Sequence, residues 1–423
     1  MFSNINEILL NHFSTGGGGA AYLRGIINDF SKSVNKLFLT RSDIQRVQIA
    51  EKISEQILKL SDFNDIIPLR DEVATLEINR LLTYGKQTDH TVHTLYMFLL
   101  GVWIYDNIPI LRSEIDKSIN SKKPIKMFIF QWIFASLLHD VGYLFFNYET
   151  VNNNKSWEVF DRMFTFSYIK ENAGKLSNES NEKLIQVYDD FSEEYGNSLC
   201  HSKLTKAKNL LDQLNFMPWN GKLISGQVCG LDILRANFDK NNILSEFAYK
   251  IATIGYDDKK IEPEVDHAIA SGLMLLKYTS LWYWMCKSAS KKDDKLSAEL
   301  NCLFRYPEEV LQKHVIPACR AVIYHNITGI QVRIDDQPLL YLAILCDELQ
   351  FWDRFLSGHN YVENWKSVQH CMAEQVFAEI VHNDKYGNQL HFYLDGEKFS
   401  KIKNKIDEKL VNWENIIQLS YYS

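Results

Sequence analysis

The sequence predicts a mostly helical protein whose core is divided by a long insertion and followed by a small C-terminal α+β appendage, a hairpin plus a helix. Three observations predict it. Apolar residues recur at helical spacing from Leu81 to Phe146 and again from Pro263 to Arg354. Between them the composition shifts to Asn, Lys, Glu and Ser, beginning with Asn152-Asn153-Asn154-Lys155. Near the C-terminus a period of two replaces the helical period.

Taken in order, residues 1–84 form a helical N-terminal region. Helical spacing over 5–60 is broken by Gly16–Gly19, a run without the Gly-Lys-Ser/Thr of a phosphate loop, which therefore reads as a flexible linker. Residues 85–146 form the first part of the core. One helix carries Asp89-His90-Thr91-Val92-His93 into the apolar run Leu95–Leu100; a second runs from about Met127 to Leu138 and delivers His139-Asp140 at its end. Residues 147–262 are the insertion, expected to act as a lid, a regulatory module or a contact for a second copy or another protein. Residues 263–357 complete the core: a helix through Asp266–Leu276, started by Pro263, another from near Pro307 to His325-Asn326, and a last one through Leu339–Leu345 into Asp347. In 358–423, Phe377, Glu379 and Val381 alternate with their neighbours, as do Leu390, Phe392 and Leu394, around the loop Asn383–Asn388. A final helix from about Glu397 places Phe399, Ile402, Ile406, Leu410 and Trp413 on one face.

Bulk properties narrow the function. At 46% hydrophobic and 23% charged residues, the 423-residue chain has ordinary globular composition. Asp and Glu (53) exceed Lys and Arg (46), for a net charge of −7; an extended nucleic-acid surface would show the opposite balance. A small phosphate ligand remains compatible with a local basic pocket. Seven cysteines, an odd number without a CxxC pair, fit neither a thiolate zinc site nor a disulfide framework and read as reduced core residues. The N-terminus lacks the basic start and long apolar run of a signal peptide, and Leu95–Tyr105 and Met127–Leu138 are too short to span a bilayer. A cytoplasmic protein without a membrane partner is the expectation.

The chemistry resides in an ordered set on apolar helices: His90/His93, His139-Asp140, His267, His325 and Asp347. A lone histidine on such a helix is more often a hydrogen-bonded core residue than a ligand, and His267 or His325 alone would be read that way. Asp347 resists this reading. It ends the nearly all-apolar run Leu339–Cys346, and a buried carboxylate needs a cation or several donors. His139-Asp140 after Phe134–Leu138 poses the same problem. Imidazole and carboxylate together suit one or two divalent transition metals (Mn, Fe, Co, Ni or Zn, with Mg as a further candidate).

The string Leu137-Leu138-His139-Asp140-Val141-Gly142 resembles the signature of the HD-domain metal-dependent phosphohydrolases. The resemblance covers roughly 86–146 and 263–354 and identifies the helical core as an HD-domain core. It implies that His93, His139, Asp140 and Asp347 hold one metal, and that His267 and His325 serve a second with Asp140 bridging. Two departures stand beside it: the long interval from His93 to His139, with the still longer insertion after Asp140, and Val141-Gly142-Tyr143-Leu144 where the cyclic-dinucleotide branch carries Gly-Tyr-Pro. His90 and His93 share a helix face; His93 is preferred as the ligand, leaving His90 for substrate. His314 and His325 also share a face, about 16 Å apart along an axis, and His325 is preferred.

The resemblance implies a phosphohydrolase acting by metal-activated water on a small nucleotide, such as a nucleoside or deoxynucleoside triphosphate. Asp140 and Lys86 are the expected catalytic residues, and His90, Lys86, Arg320 and Arg354 the expected substrate contacts. Rival readings are a phosphodiesterase of cyclic or short oligonucleotides, a nucleotide sensor or assembly subunit without turnover, and, least favoured by the charge balance, a single-strand nuclease.

Overall fold

A computed structural model describes residues 3–40, 43–61, 67, 70–71, 73–75, 90–142, 177–195, 214, 230–236, 238, 243–244, 266–303, 308–352, 376–394 and 396–421. The protein is mostly helical, with one small four-stranded sheet. It divides into two compact units, Met1–Leu138 with His325–Ser423, and His139–Tyr324. The boundaries expected at 146/147 and 262/263 fall outside the described residues.

The first unit opens with a short strand β1 (Ser3–Asn4) and helices α1 (Ile5–Thr15), α2 (Gly18–Ile26), α3 (Phe30–Leu39) and α4 (Asp43–Leu58). The Asn4 side chain caps α1 by accepting from the Asn6 amide, and Ile5, Leu9 and Phe13 form its buried stripe. The glycine run is not a loose linker. Gly18 adopts φ +59°, and the Gly19 and Ala20 amides at the start of α2 donate to the Asp106 carboxylate at 2.6 and 3.0 Å. A β-carbon on Gly18 would lie 2.0 Å from Asp106 Oδ1. Position 18 is glycine because the backbone there must turn left-handed while closing on that carboxylate.

Helix α5 (His90–Asn107) is buried on every face from Thr91 to Tyr105, which makes it the central helix of the unit. Proline at their first positions starts both α6 (Pro109–Ile119) and α7 (Pro124–Trp132). Gly101 of α5 faces Trp132 so closely that a β-carbon would meet the indole at 2.1 Å. Helix α7 does not continue to Leu138 as α-helix: Ile133–Leu137 winds as a π turn, and the helical path ends there, just ahead of His139. Among the described residues, no single helix is long and apolar enough to cross a membrane.

The second unit contains α8 (Asn178–Tyr195), α9 (Gly230–Arg235), the 26-residue α10 (His267–Lys292), α11 (Asp294–Leu303) and α12 (Ile316–Tyr324). A short turn at Glu308–Val310 and a second π turn at Leu311–Val315 lead into α12. Helix α10 starts at His267, capped by Asp266; Pro263 lies outside the described residues. Gly272 lets α10 close on α12, since a β-carbon there would stand 2.3 Å from Ile323 Cγ1.

The chain returns to the first unit at His325, forms α13 (Pro338–Leu349), and ends in the appendage: β2 (Phe377–Asn383), β3 (Gly387–Leu394), α14 (Gly396–Lys409) and β4 (Ile417–Tyr421). The sheet order is β1-β2-β3-β4, with β2 and β3 the expected hairpin and β3 and β4 parallel. Asn383 turns the hairpin by accepting from the Lys385 and Tyr386 amides, and Gly387 closes it at φ +77°. Two details differ from expectation. On β2 the buried residue is Ala378, while Phe377, Glu379 and Val381 are half-buried. Glu379 accepts from the Tyr393 hydroxyl at 2.6 Å, and Ile380 and His382, which share a face with Ala378, are exposed, so neither face of this strand is buried throughout. Helix α14 stops at Lys409; Leu410 and Trp413 reach the core from the segment beyond it.

Cys319 and Cys346 are buried free thiols and Cys286 a half-buried one, in keeping with reduced core cysteines. Burial pushes the Cys286 thiol up to about 12 and the other two further in the same direction, so none is poised as a nucleophile.

Candidate functional site

In the first unit the expected ligands His93 and Asp347 meet. His93 faces inward from the first turns of α5, 2% exposed, and its Nε2 lies 3.0 Å from Oδ1 of Asp347, near the end of α13. The other ring nitrogen, Nδ1, faces Gln350 Oε1. Gln350 is itself fixed, because its amide nitrogen donates to the Trp352 carbonyl at 2.8 Å, which leaves the oxygen for His93. An amide oxygen only accepts, so Nδ1 carries the proton in this pair. Nε2 then presents either a second proton or its lone pair to Asp347. A lone pair set against a carboxylate is stable only with a cation between them.

In the second unit His139, Asp140 and His267 meet. Oδ1 of Asp140 lies 3.2 Å from His139 Nε2 and 3.5 Å from His267 Nε2. All three residues are buried, at 1%, 6% and 8% exposure. His267 is positioned as the first residue of α10 by the Asp266 cap, whose Oδ1 accepts from the Ala268 and Ile269 amides at 2.9 and 3.2 Å. The His-Asp segment is brought to it by Gly142, whose amide donates to Ser271 Oγ at 2.7 Å while Ser271 donates to the His267 carbonyl at 2.8 Å. A β-carbon on Gly142 would lie 2.0 Å from that carbonyl oxygen. Only glycine at 142 allows the approach.

These separations match those of ligands sharing an ion. Two donors each about 2.1 Å from one metal lie about 3.0 Å apart at right angles and about 3.4 Å apart at the tetrahedral angle. Imidazole nitrogens and carboxylate oxygens, without thiolates, are a donor set for borderline divalent metals.

The remaining expected residues are distributed as follows. His325, 3% exposed, follows α12, and its carbonyl accepts from Lys409 Nζ at 3.1 Å. His90 opens α5 one turn before His93 and is half-buried. Arg320 is engaged elsewhere: Nε donates to the Leu234 carbonyl at 2.8 Å, a second nitrogen to Ala236 at 3.1 Å, and the guanidinium lies over Phe238. Those bonds close the C-terminal end of α9, a structural task for the residue expected to contact substrate. Burial lowers its pKa. Lys86 and Arg354 lie outside the described residues.

Three supporting residues were not foreseen: Gln350, Lys409 and Arg70. Arg70, 4% exposed, pairs with Glu51 at 3.0 Å and donates to Thr94 Oγ1 at 2.9 Å, to the Thr91 carbonyl at 3.3 Å and to the Leu137 carbonyl. It thereby joins the first turns of α5, which carry His93, to the π turn two residues ahead of His139. A polar residue three positions after Asp347 was the available sequence signal for Gln350. Nothing local marks Arg70 or Lys409, whose partners are distant in the chain.

Compared with protein-family models, with curated proteins and with solved structures, the chain matches none.

Proposed function

We propose that the protein is a metal-dependent phosphohydrolase acting on a small nucleotide, with a nucleoside or deoxynucleoside triphosphate as the favoured substrate. The observation that carries this reading is the convergence of two buried imidazoles, His139 and His267, on one oxygen of Asp140. Residues 128 positions apart need a reason to bury three titratable groups together, and a shared cation is that reason.

In this proposal His93, His139, Asp140 and Asp347 hold one ion, and His267 and His325 hold a second that shares Asp140. A divalent ion supplies activation of water as a nucleophile and neutralisation of charge on phosphoryl oxygens. The protein's own residues prepare for that chemistry. Gln350 keeps the His93 proton on Nδ1 and so aims the Nε2 lone pair at the ligand position, while Asp266 and Gly142 set the His267 ring beside Asp140. His90, one turn from His93, is the described candidate for a phosphate contact.

The test is product analysis of metal-reconstituted protein with nucleoside triphosphates, cyclic nucleotides and short oligonucleotides, alongside Asp140→Ala and a chelated sample. Metal-dependent release of phosphate, pyrophosphate or triphosphate from one class, lost in Asp140→Ala, supports the proposal. Cleavage confined to cyclic or oligomeric substrates replaces it with a phosphodiesterase. Metal and nucleotide binding without product would make the protein a sensor.

A further inference from the structure

We infer that Lys409, at the end of the C-terminal helix, is a positioning residue for two of the proposed ligands, His325 and Asp347; the inference rests on the function proposed above. The Lys409 side chain is 9% exposed. Its ammonium donates to the His325 carbonyl at 3.1 Å and to Glu348 Oε1 at 2.9 Å. Lys405, one turn earlier on α14, donates to the other oxygen, Glu348 Oε2, at 2.7 Å. Glu348 is the next residue after Asp347, and its side chain is 5% exposed.

Neighbouring residues on an α-helix project about 100° apart. Holding Glu348 by both oxygens therefore fixes the rotation of the last turn of α13, and with it the direction in which Asp347 faces His93. The same ammonium holds the backbone from which the His325 ring projects. Lys409 has a fixed base of its own: its carbonyl accepts from the Val332 amide at 2.8 Å, and Val411 returns a bond to Val332 at 3.0 Å. One buried cation from the appendage thus ties together the two chain segments that carry His325 and Asp347.

Stability alone does not account for the arrangement. A buried ion pair is often matched in stability by well-packed apolar residues of similar volume, and the best-attested use of such a pair is registration. Outer-shell contacts of this kind set the orientation of metal ligands.

The test uses the full chain. Co²⁺ affinity is measured by isothermal titration calorimetry for wild type, Lys409→Met, Lys409→Arg and the double variant Glu348→Leu/Lys409→Met, with circular dichroism and melting curves alongside. Lys409→Met is expected to fold and to bind Co²⁺ about 10–100-fold more weakly, with part of the loss recovered in Lys409→Arg. Should Lys409→Met fail to fold, the double variant, which removes both charges, carries the same expectation. Wild-type affinity in either folded variant, even with a lowered melting temperature, overturns the positioning role and leaves the proposed function standing. Absence of Co²⁺ binding by the wild type overturns both.

Discussion

Replacing Arg70 with methionine keeps most of the side-chain volume and removes a charge that serves four partners. Glu51 loses its cation, and the carbonyls of Thr91 and Leu137 and the hydroxyl of Thr94 lose a donor. Breaking a buried pair by deleting one partner costs about 3–5 kcal/mol, because the other charge remains behind. The Glu51 side chain is 17% exposed, so water relieves part of this, and the lower end, about 3 kcal/mol, is the expected loss. For a unit of this size each kcal/mol lowers the melting temperature by roughly 2–4 °C, giving roughly 6–12 °C. Scanning calorimetry suits a chain with two compact units, since their transitions need not coincide. Arg70→Lys restores the charge but not the fork of donors, and an intermediate loss is expected. The double variant Glu51→Leu/Arg70→Met should lose less than Arg70→Met alone, because no charge is left unpaired. A drop below about 2 °C in Arg70→Met, or a double variant worse than the single one, would refute the account of Arg70 as a charged clamp.

Gly142→Ala should weaken Co²⁺ binding at least tenfold as well as lower stability, because its β-carbon would push the His-Asp segment off the first turn of α10; unchanged affinity in a folded variant counts against that placement. Burial holds the imidazole of His314 below its ordinary value of 6.5. The unfolded chain therefore takes up a proton that the folded state resists, and stability present above about pH 6.5 is lost as pH falls below it. His314→Gln should flatten the melting temperature between pH 7.5 and 5, and parallel slopes in the two proteins would exclude this source. If the proposed ions are bound, a strong chelator should lower the melting temperature and excess Co²⁺ or Mn²⁺ should raise it with concentration. A melting curve indifferent to both would speak against metal binding at these residues.

Much of the helical plan was legible because periodicity is local. The helix carrying His93, the helix ahead of His139-Asp140, the apolar helix through Ala268–Leu276 and the hairpin all follow from residues within a dozen positions of one another. The candidate site was legible through its expense: carboxylates at the ends of apolar runs, as at Asp140 and Asp347, demand a partner. What stayed hidden was long-range or a matter of phase. Asp106 fills the amide cradle of the glycine run from more than eighty residues away, so the run looked like a linker. The π turn at Ile133–Leu137 has the composition of an ordinary apolar helix, and its extra residue per turn emerges only from the packing around it.

The sheet has an implication for biosynthesis. Its first strand, Ser3–Asn4, pairs with Phe377 and Ala378, and the first unit is built from the two ends of the chain. At about 5–20 residues per second, the ribosome spends roughly 10–40 s making the second unit before the return segment from His325 onward begins to appear. Throughout that interval α5, buried on every face in the finished protein, lacks the helix α13 that carries Asp347. The nascent chain must hold a half-built core while an entire other unit is made, which is the situation in which chaperone capture and slow translation decide the yield of native protein.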